Sequence, residues 1–228
     1  MGIRLGSSEN LRINIAGTAR RIVLPTPAYT ELEYIEGTGI QYIDTGKYAP
    51  INTNIEVRFR LNNTTQAGSN NAAIFGGRNA QTSNTCTLFY IASTKPQYFR
   101  FDRASQVQVA TATQISIDAE SVYKFTYVKN TIAVLNERTG VTVSCTVSNP
   151  STFTSDPITL FAVNSNGTKG TFLKGRIYEW KYWENDELLQ HFIPVLDQNN
   201  IPCMYDKVSC EFFYNAGTGE FLYGRKTN

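Results

Sequence analysis

The segment from Ile55 to Leu61 constrains the fold more than any other part of the chain. Ile55, Val57, Phe59 and Leu61 alternate with Glu56, Arg58 and Arg60. A period of two sends successive side chains to opposite faces of a strand, so this run predicts one buried and one wet face. Similar short runs recur with turn residues between them, at Ala73–Phe75, Thr87–Ile91, Tyr98–Phe101, Val107–Thr111, Val122–Val128, Thr131–Leu135, Val141–Val147, Ile158–Val163 and Phe172–Trp183. Many short strands in series predict an all-β sandwich. Lys129-Asn130, Glu137–Gly140, Asn185-Asp186, Asp206-Lys207 and the Asn215–Gly219 cluster supply the turns, and Gly37, Gly39, Gly217 and Gly219 are expected at positive φ. One helical turn is expected near Glu187–His191, ended by Pro194.

Residues 1–28 read as a separate unit ahead of a domain over 29–228. Leu11, Ile13 and Ile15 alternate with Arg12 and Asn14, Ala16-Gly17-Thr18 turns the chain, and Ile22-Val23-Leu24 follows. Pro25 and Pro27 then break any ladder and favour an extended spacer. So short a β-arm cannot bury its own face. It is expected to dock on another chain through residues 1–24, giving a homo-oligomer or a multi-copy protein on a scaffold; folding back on its own domain is the alternative.

Charge excludes one class of partner. Lys and Arg total 21 against 19 Asp and Glu, with no basic run, which leaves nucleic acid little electrostatic footing. No stretch of about 18 apolar residues offers a membrane span, and the first residues lack the apolar core of a signal peptide, so synthesis in a cytosol is expected. Cys86, Cys145, Cys203 and Cys210 lack metal or redox spacing. A Cys203–Cys210 disulfide across a hairpin is geometrically open, with free thiols favoured in a reducing compartment.

The segment Leu32–Gly46 (LEYIEGTGIQYIDTG) resembles the opening of the concanavalin A-like, or laminin G-like, jelly-roll module of bacteriophage tail and fibre proteins and bacterial surface proteins. Ile74–Arg78 resembles the module's second block and Gly175–Trp183 its penultimate strand. The C-terminal match, His191–Pro194 through Met204–Val208 to Phe213–Phe221, is the most specific. These blocks extend over about Leu32–Gly224. Cys210 stands where the family usually has glycine. The resemblance implies a two-sheet antiparallel jelly roll with a binding or structural role in a virion.

Catalytic chemistry is not legible. A glycosidase needs two carboxylates across the scissile bond, and Glu184-Asn-Asp186-Glu-Leu-Leu189 lacks a third acidic position and reads as a turn. His191, the one histidine, would be a packed side chain beside Phe192 and Pro194. No phosphate loop, nucleophile elbow, cofactor fingerprint or calcium loop occurs, so no cofactor and no metal are expected. The chain reads as a non-enzymatic virion protein of a tail, baseplate or fibre that adheres to host-surface glycan. The rivals are a purely structural decoration or tail-packing protein and a glycoside hydrolase.

Parity picks the ligand candidates. If Phe99 and Phe101 face the core, Tyr98, Arg100 and Asp102 face outward. If Tyr178, Trp180 and Tyr182 are buried, Trp183 faces outward with Glu179 and Lys181. Tyr98, Arg100, Asp102 and Trp183 are therefore the expected glycan contacts, against the plainer possibility that loops or neighbours half-cover them.

Overall fold

The computed structural model describes residues 28–64, 71–79, 85–92, 97–103, 115–146 and 156–227, together with the backbone of two strands nearer the N-terminus. The expected strand Val107–Thr111 and the Pro25/Pro27 spacer lie outside the described residues. Strands are numbered in chain order. β1 (Leu11–Ile15) and β2 (Thr18–Ile22) form an antiparallel two-stranded sheet of their own, with Leu11 opposite Ile22.

The larger sheet runs β12 (Thr142–Thr146), β11 (Thr131–Asn136), β10 (Tyr123–Val128), β6 (Thr53–Leu61), β16 (Lys174–Glu184), β17 (Glu187–Leu196), β18 (Pro202–Asp206) and β19 (Glu211–Phe213). β3 (Thr30–Glu31) adds to β17, β4 (Ile35–Thr38) to β16, and β20 (Leu222–Tyr223) to β4. The smaller sheet runs β15 (Thr168–Gly170), β14 (Val163–Ser165), β7 (Asn71–Arg78), β13 (Thr159–Leu160) and β5 (Ile43–Asp44). β8 (Thr85–Ile91) and β9 (Tyr98–Arg103) extend it from β7. The fold is a two-sheet, all-β sandwich. Its pairings are antiparallel except where β14 runs parallel to β7.

The alternation in β6 does what hydrophobic burial demands. Ile55, Val57, Phe59 and Leu61 are fully buried, while Glu56, Arg58 and Arg60 are half-exposed. Their faces meet aromatic side chains from the opposite sheet: Phe59 packs on Phe99 at 5.3 Å, Phe101 on Phe125 at 5.1 Å, and Phe75 on Trp180 at 5.1 Å. Edge and tilted ring contacts of this kind add to the area they bury.

Three expectations change. Glu187–His191 is strand, part of β17: inward Gln190 and Phe192 alternate with outward His191, and the pairing with β16 slips by one residue at Leu189, which packs against the core. Pro194 is tolerated because β17 has left β16 after Phe192 and joins β3 at Val195, so no ladder donor is required of it there. The buried set on β16 also shifts. The register slips between Ile177 and Glu179, inserting Tyr178 as an extra residue, so Ile177 rather than Tyr178 faces the core ahead of Trp180 and Tyr182.

The glycines divide by cause. Gly39 and Gly219 occupy positive φ as expected, but Gly37 and Gly217 do not. Those two are required by close approach: a Cβ on Gly217 would collide with the Ile40 carbonyl, and one on Gly37 would lie 2.8 Å from Phe161 Cδ1 and 3.1 Å from the Leu173 carbonyl. Phe161 is fully buried and cannot retreat. Gly37→Ala is therefore expected to destabilise the sandwich by about 1–3 kcal/mol, read as a lower denaturation midpoint at unchanged slope.

Cys203 and Cys210 are free thiols. The hairpin turns over residues 207–210 with Cys210 at φ 62°, a conformation that accounts for a glycine preference there. The Asp206 carboxylate caps the turn, accepting from the backbone N–H of Val208 at 3.1 Å and of Ser209 at 3.3 Å.

Candidate functional site: a polar cleft at the sandwich rim

Three connections meet at one end of the larger sheet. The β10–β11 hairpin turns on Lys129 and Asn130 at φ 47° and 63°, and the β16–β17 hairpin turns on Asn185 and Asp186 at φ 51° and 63°. Two-residue loops with both centres at positive φ match the twist of the strands they join, and Asn and Asp tolerate that conformation. Between the hairpins the turn at Ile51-Asn52 leads into β6. Together they wall an open cleft of about 470 Å³ lined by Ile51, Asn52, Thr53, Asn54, Lys129, Asn130, Asn185 and Asp186.

Asn54 ties the walls together. Its Oδ1 accepts from the Lys129 backbone N–H at 3.0 Å, and its Nδ2 donates to Asp186 Oδ1 at 3.1 Å. Asn52 Nδ2 donates to Asn185 Oδ1 at 2.8 Å, and the Asn185 N–H donates to the Asn52 carbonyl at 3.1 Å. Tyr127 donates its hydroxyl to Asn130 Oδ1 at 3.1 Å. Lys129 Nζ lies 3.6 Å from Asp186 Oδ2, both largely exposed, so the cleft's one cation and one anion offset each other. What remains is a concentration of amide donors and acceptors with near-zero charge. Such groups match hydroxyls, which both donate and accept.

Of the residues nominated by parity, Trp183 alone lies at this end. It pairs directly across the ladder with Asn54 and stays half-exposed on the outer face, while Val128 is exposed just beyond the Tyr127–Ile55 pair. Cross-strand partners on one face touch, so an indole borders the amide cluster.

Tyr98, Arg100 and Asp102 lie elsewhere, on the outer face of the smaller sheet. They do not form an open surface there. Asp102 is 1% exposed and ion-paired to Arg100 at 2.9 Å; burial raises its pKa against the pull of Arg100. Phe89 lies beneath both Arg78 at 5.8 Å and Arg100 at 5.0 Å, and Tyr98 packs against a second apolar cluster of Ala73, Phe89, Ile91 and Val163. The expectation that Asp102 faces solvent fails because every outward residue of β8, namely Thr85, Thr87, Phe89 and Ile91, is buried as well.

Between the cleft and the far end of the larger sheet, the outer face carries a chain of ion pairs. Lys181 Nζ bridges Glu56 at 3.1 Å and Glu179 at 3.0 Å, Lys124 joins Glu56 at 2.8 Å, and His191 Nε2 lies 2.7 Å from Glu179 Oε1. His191 thus faces outward rather than packing with Phe192. Its hydrogen bond, with the Lys181 ammonium beside it, holds the Glu179 carboxyl down at about 2 against the opposing effect of burial. A carboxyl depressed in the folded state stabilises fully above its ordinary value of 4.5 and loses that contribution as pH falls toward 2. Glu179 is partly exposed, so screening leaves about 1 kcal/mol. Between pH 5 and 2, denaturant titration should show the wild type losing that much more stability than Glu179→Gln.

No metal-binding cluster of His, Cys, Asp and Glu occurs among the described residues. No helix among them is long and apolar enough to cross a membrane.

No family model matches the chain, and no curated protein does. Among solved structures it is similar to tailspike protein 2 from the Escherichia coli O157:H7 bacteriophage CAB120, at 12% identity over 82% of this chain and 27% of that chain, with a TM-score of 0.46. It is also similar to scytalido-glutamic peptidase, at 12% identity over 75% of this chain and 91% of that chain with a TM-score of 0.38. NanB sialidase from Streptococcus pneumoniae gives 14% identity over 90% and 40%, with a TM-score of 0.39. The chain spans about a quarter of the tailspike's length. Likenesses this distant transfer no site residue, and the sandwich rests on the strand pairing described above.

Proposed function

We propose that this chain is a non-enzymatic virion protein of a bacteriophage, a tail, baseplate or fibre component whose sandwich adheres to host-surface glycan through the rim cleft. The observation that carries this reading is the cleft's lining: four asparagine side chains, a mutually offset Lys129–Asp186 pair, and the half-exposed Trp183 indole beside Asn54. A polyhydroxylated ligand uses all three, since its hydroxyls exchange hydrogen bonds with amides and its C–H faces pack on an aromatic ring. The resemblance of Leu32–Gly46 and of His191–Phe221 to the phage and surface module supports the virion setting. Residues 1–24 supply the contact with other virion proteins in this reading, as a homo-oligomer or in several copies.

Hydrolysis at the cleft is disfavoured by the state of the carboxylates on that face. A glycosidase needs one carboxyl held protonated beside a second, ionised one. Asp186 is committed to Asn54 and Lys129, Glu184 accepts from the Tyr182 hydroxyl at 2.5 Å, and Glu179 is held ionised. Binding of the purified full chain to polysaccharide extracted from host envelopes tests the reading. The expected result is saturable binding without release of reducing ends. Absence of binding to whole cells and extracts alike would sink the adhesin, and cleavage abolished by Glu184→Gln would establish the hydrolase instead.

A further inference from the structure

The outer face of β6 continues past the cleft. Asn54, Glu56, Arg58 and Arg60 share the outward parity, and the six residue steps from Asn54 to Arg60 cover about 20 Å of extended strand. At the far end Arg60 is paired in register with Arg176 of β16. Like charges directly opposite one another repel unless something neutralises them. Carboxylates account for every neighbouring guanidinium but one: Arg176 takes Glu36 at 2.6 Å, Arg58 takes Glu137 at 2.7 Å, and Arg225 takes Glu33 at 3.3 Å. Arg60 donates Nε to the Ala119 carbonyl at 2.6 Å and has no carboxylate partner among the described residues.

The backbone irregularity in β16 falls at this spot. The extra residue is Tyr178, which the bulge turns onto the outer face, where it lies beside both Arg176 and Arg60. Bulges commonly re-aim a side chain at a binding surface. Tyr34 packs edge-on against Tyr178 at 5.5 Å, and the Arg176 guanidinium stacks over Tyr34 at 4.1 Å, which holds that fork in place. The Arg60 and Arg176 guanidiniums, the Glu36 carboxylate and the Tyr178 hydroxyl together carry one positive charge, while Asp118 and Glu120, which flank the Ala119 carbonyl, are held by Arg138 at 2.7 and 3.1 Å.

We infer that Arg60, Arg176 and Tyr178 form an oxyanion site, taking a carboxylate or sulfate ester, at the opposite end of the same sheet face as the rim cleft. The inference rests on the glycan-binding reading for its ligand: an acidic polysaccharide lying along β6 and β16, with uncharged hydroxyls at Asn54 and Trp183 and an acidic substituent at Arg60. Between the two ends, the ion pairs of Glu56, Lys181 and Glu179 add no net attraction for an anion, so the charge preference is set at Arg60.

Inorganic sulfate is the first probe, because it needs no glycan. In the full chain, arginine Nε–H resonances followed by NMR at constant ionic strength should show saturable shifts of Arg60 and Arg176 with sulfate but not chloride. Arg60→Gln should abolish the shift at Arg176, and Arg60→Lys should retain part of it. Arg78→Gln, which removes a guanidinium of the smaller sheet that lies over Phe89 at 5.8 Å, should leave it intact. Equal shifts in chloride, or an unchanged Arg176 response in Arg60→Gln, would overturn the site. In the second arm, Arg60→Gln should weaken binding of oligogalacturonate about tenfold, the scale of one hydrogen bond to a charged group, and leave a neutral maltooligosaccharide unaffected. Equal losses for both oligomers would overturn the inference while leaving glycan binding standing. If neither oligomer nor host polysaccharide binds but sulfate still shifts Arg60, the oxyanion site stands and the glycan reading falls.

Discussion

Trp180→Ala is expected to cost about 3–5 kcal/mol of stability and to lower the thermal midpoint by roughly 10–15 °C. The indole is the largest fully buried side chain of the chain's described residues and reaches across the sandwich to Phe75 at 5.1 Å. Its Nε1 also donates to Gln190 Oε1 at 3.4 Å, and Gln190 in turn donates to the Thr45 carbonyl at 2.7 Å. Truncation therefore opens a cavity and leaves a buried amide acceptor without its donor, two penalties that act together. Trp180→Phe keeps most of the volume and loses only the polar contact, so it should fall between the two. Calorimetry on the three proteins decides; a Trp180→Ala midpoint within a degree or two of wild type would mean that the two sheets do not close over this ring.

Asn54→Ala is expected to cost the largest share of ligand affinity, about 2 kcal/mol or roughly thirtyfold in Kd, with a smaller loss of stability. One side chain joins the Lys129 backbone to the Asp186 carboxylate, so its removal frees both hairpins and takes a donor and an acceptor from the cleft. Asn54→Asp provides the sharper comparison. It preserves the acceptor for Lys129 but sets a second carboxylate against Asp186, which should splay the walls as effectively as truncation. Full affinity in Asn54→Asp would show that the cleft's amide geometry plays no part in binding.

The legible parts of this fold are those where a local pattern has one physical cause. β6 announces itself because one of its faces is wet, and the Lys129-Asn130 and Asn185-Asp186 turns because few residues accept positive φ. β8 carries no alternation to read, since both of its faces are covered, and this is why Asp102, its neighbour across the ladder from Thr87, was expected in solvent and is buried. Tyr178 illustrates the other limit: a single inserted residue reverses the parity on which the assignment depends, and the insertion is fixed by the pairing with β6 rather than by β16 itself.

The candidate site was legible only at Trp183. Its other members come from three separated segments, Ile51–Asn54, Lys129-Asn130 and Asn185-Asp186, which the register of β6 with β10 and β16 brings to one rim. Lys129-Asn130 and Asn185-Asp186 are readable as turns, whereas the turn at Ile51-Asn52 is not. That all three end on the same side follows from strand direction and pairing order, which no local pattern encodes. With those known, polar residues in neighbouring hairpin turns would have been the signal to follow.

The central claim is that glycan binds at this rim. It is tested most directly by following the side-chain amide resonances of Asn52, Asn54, Asn130 and Asn185 and the Trp183 indole N–H while host envelope polysaccharide is titrated into the full chain. The account predicts that these groups shift together with one saturation curve. Saturable shifts confined to Tyr98 and Arg100 on the opposite sheet, with the rim amides unmoved, would contradict it.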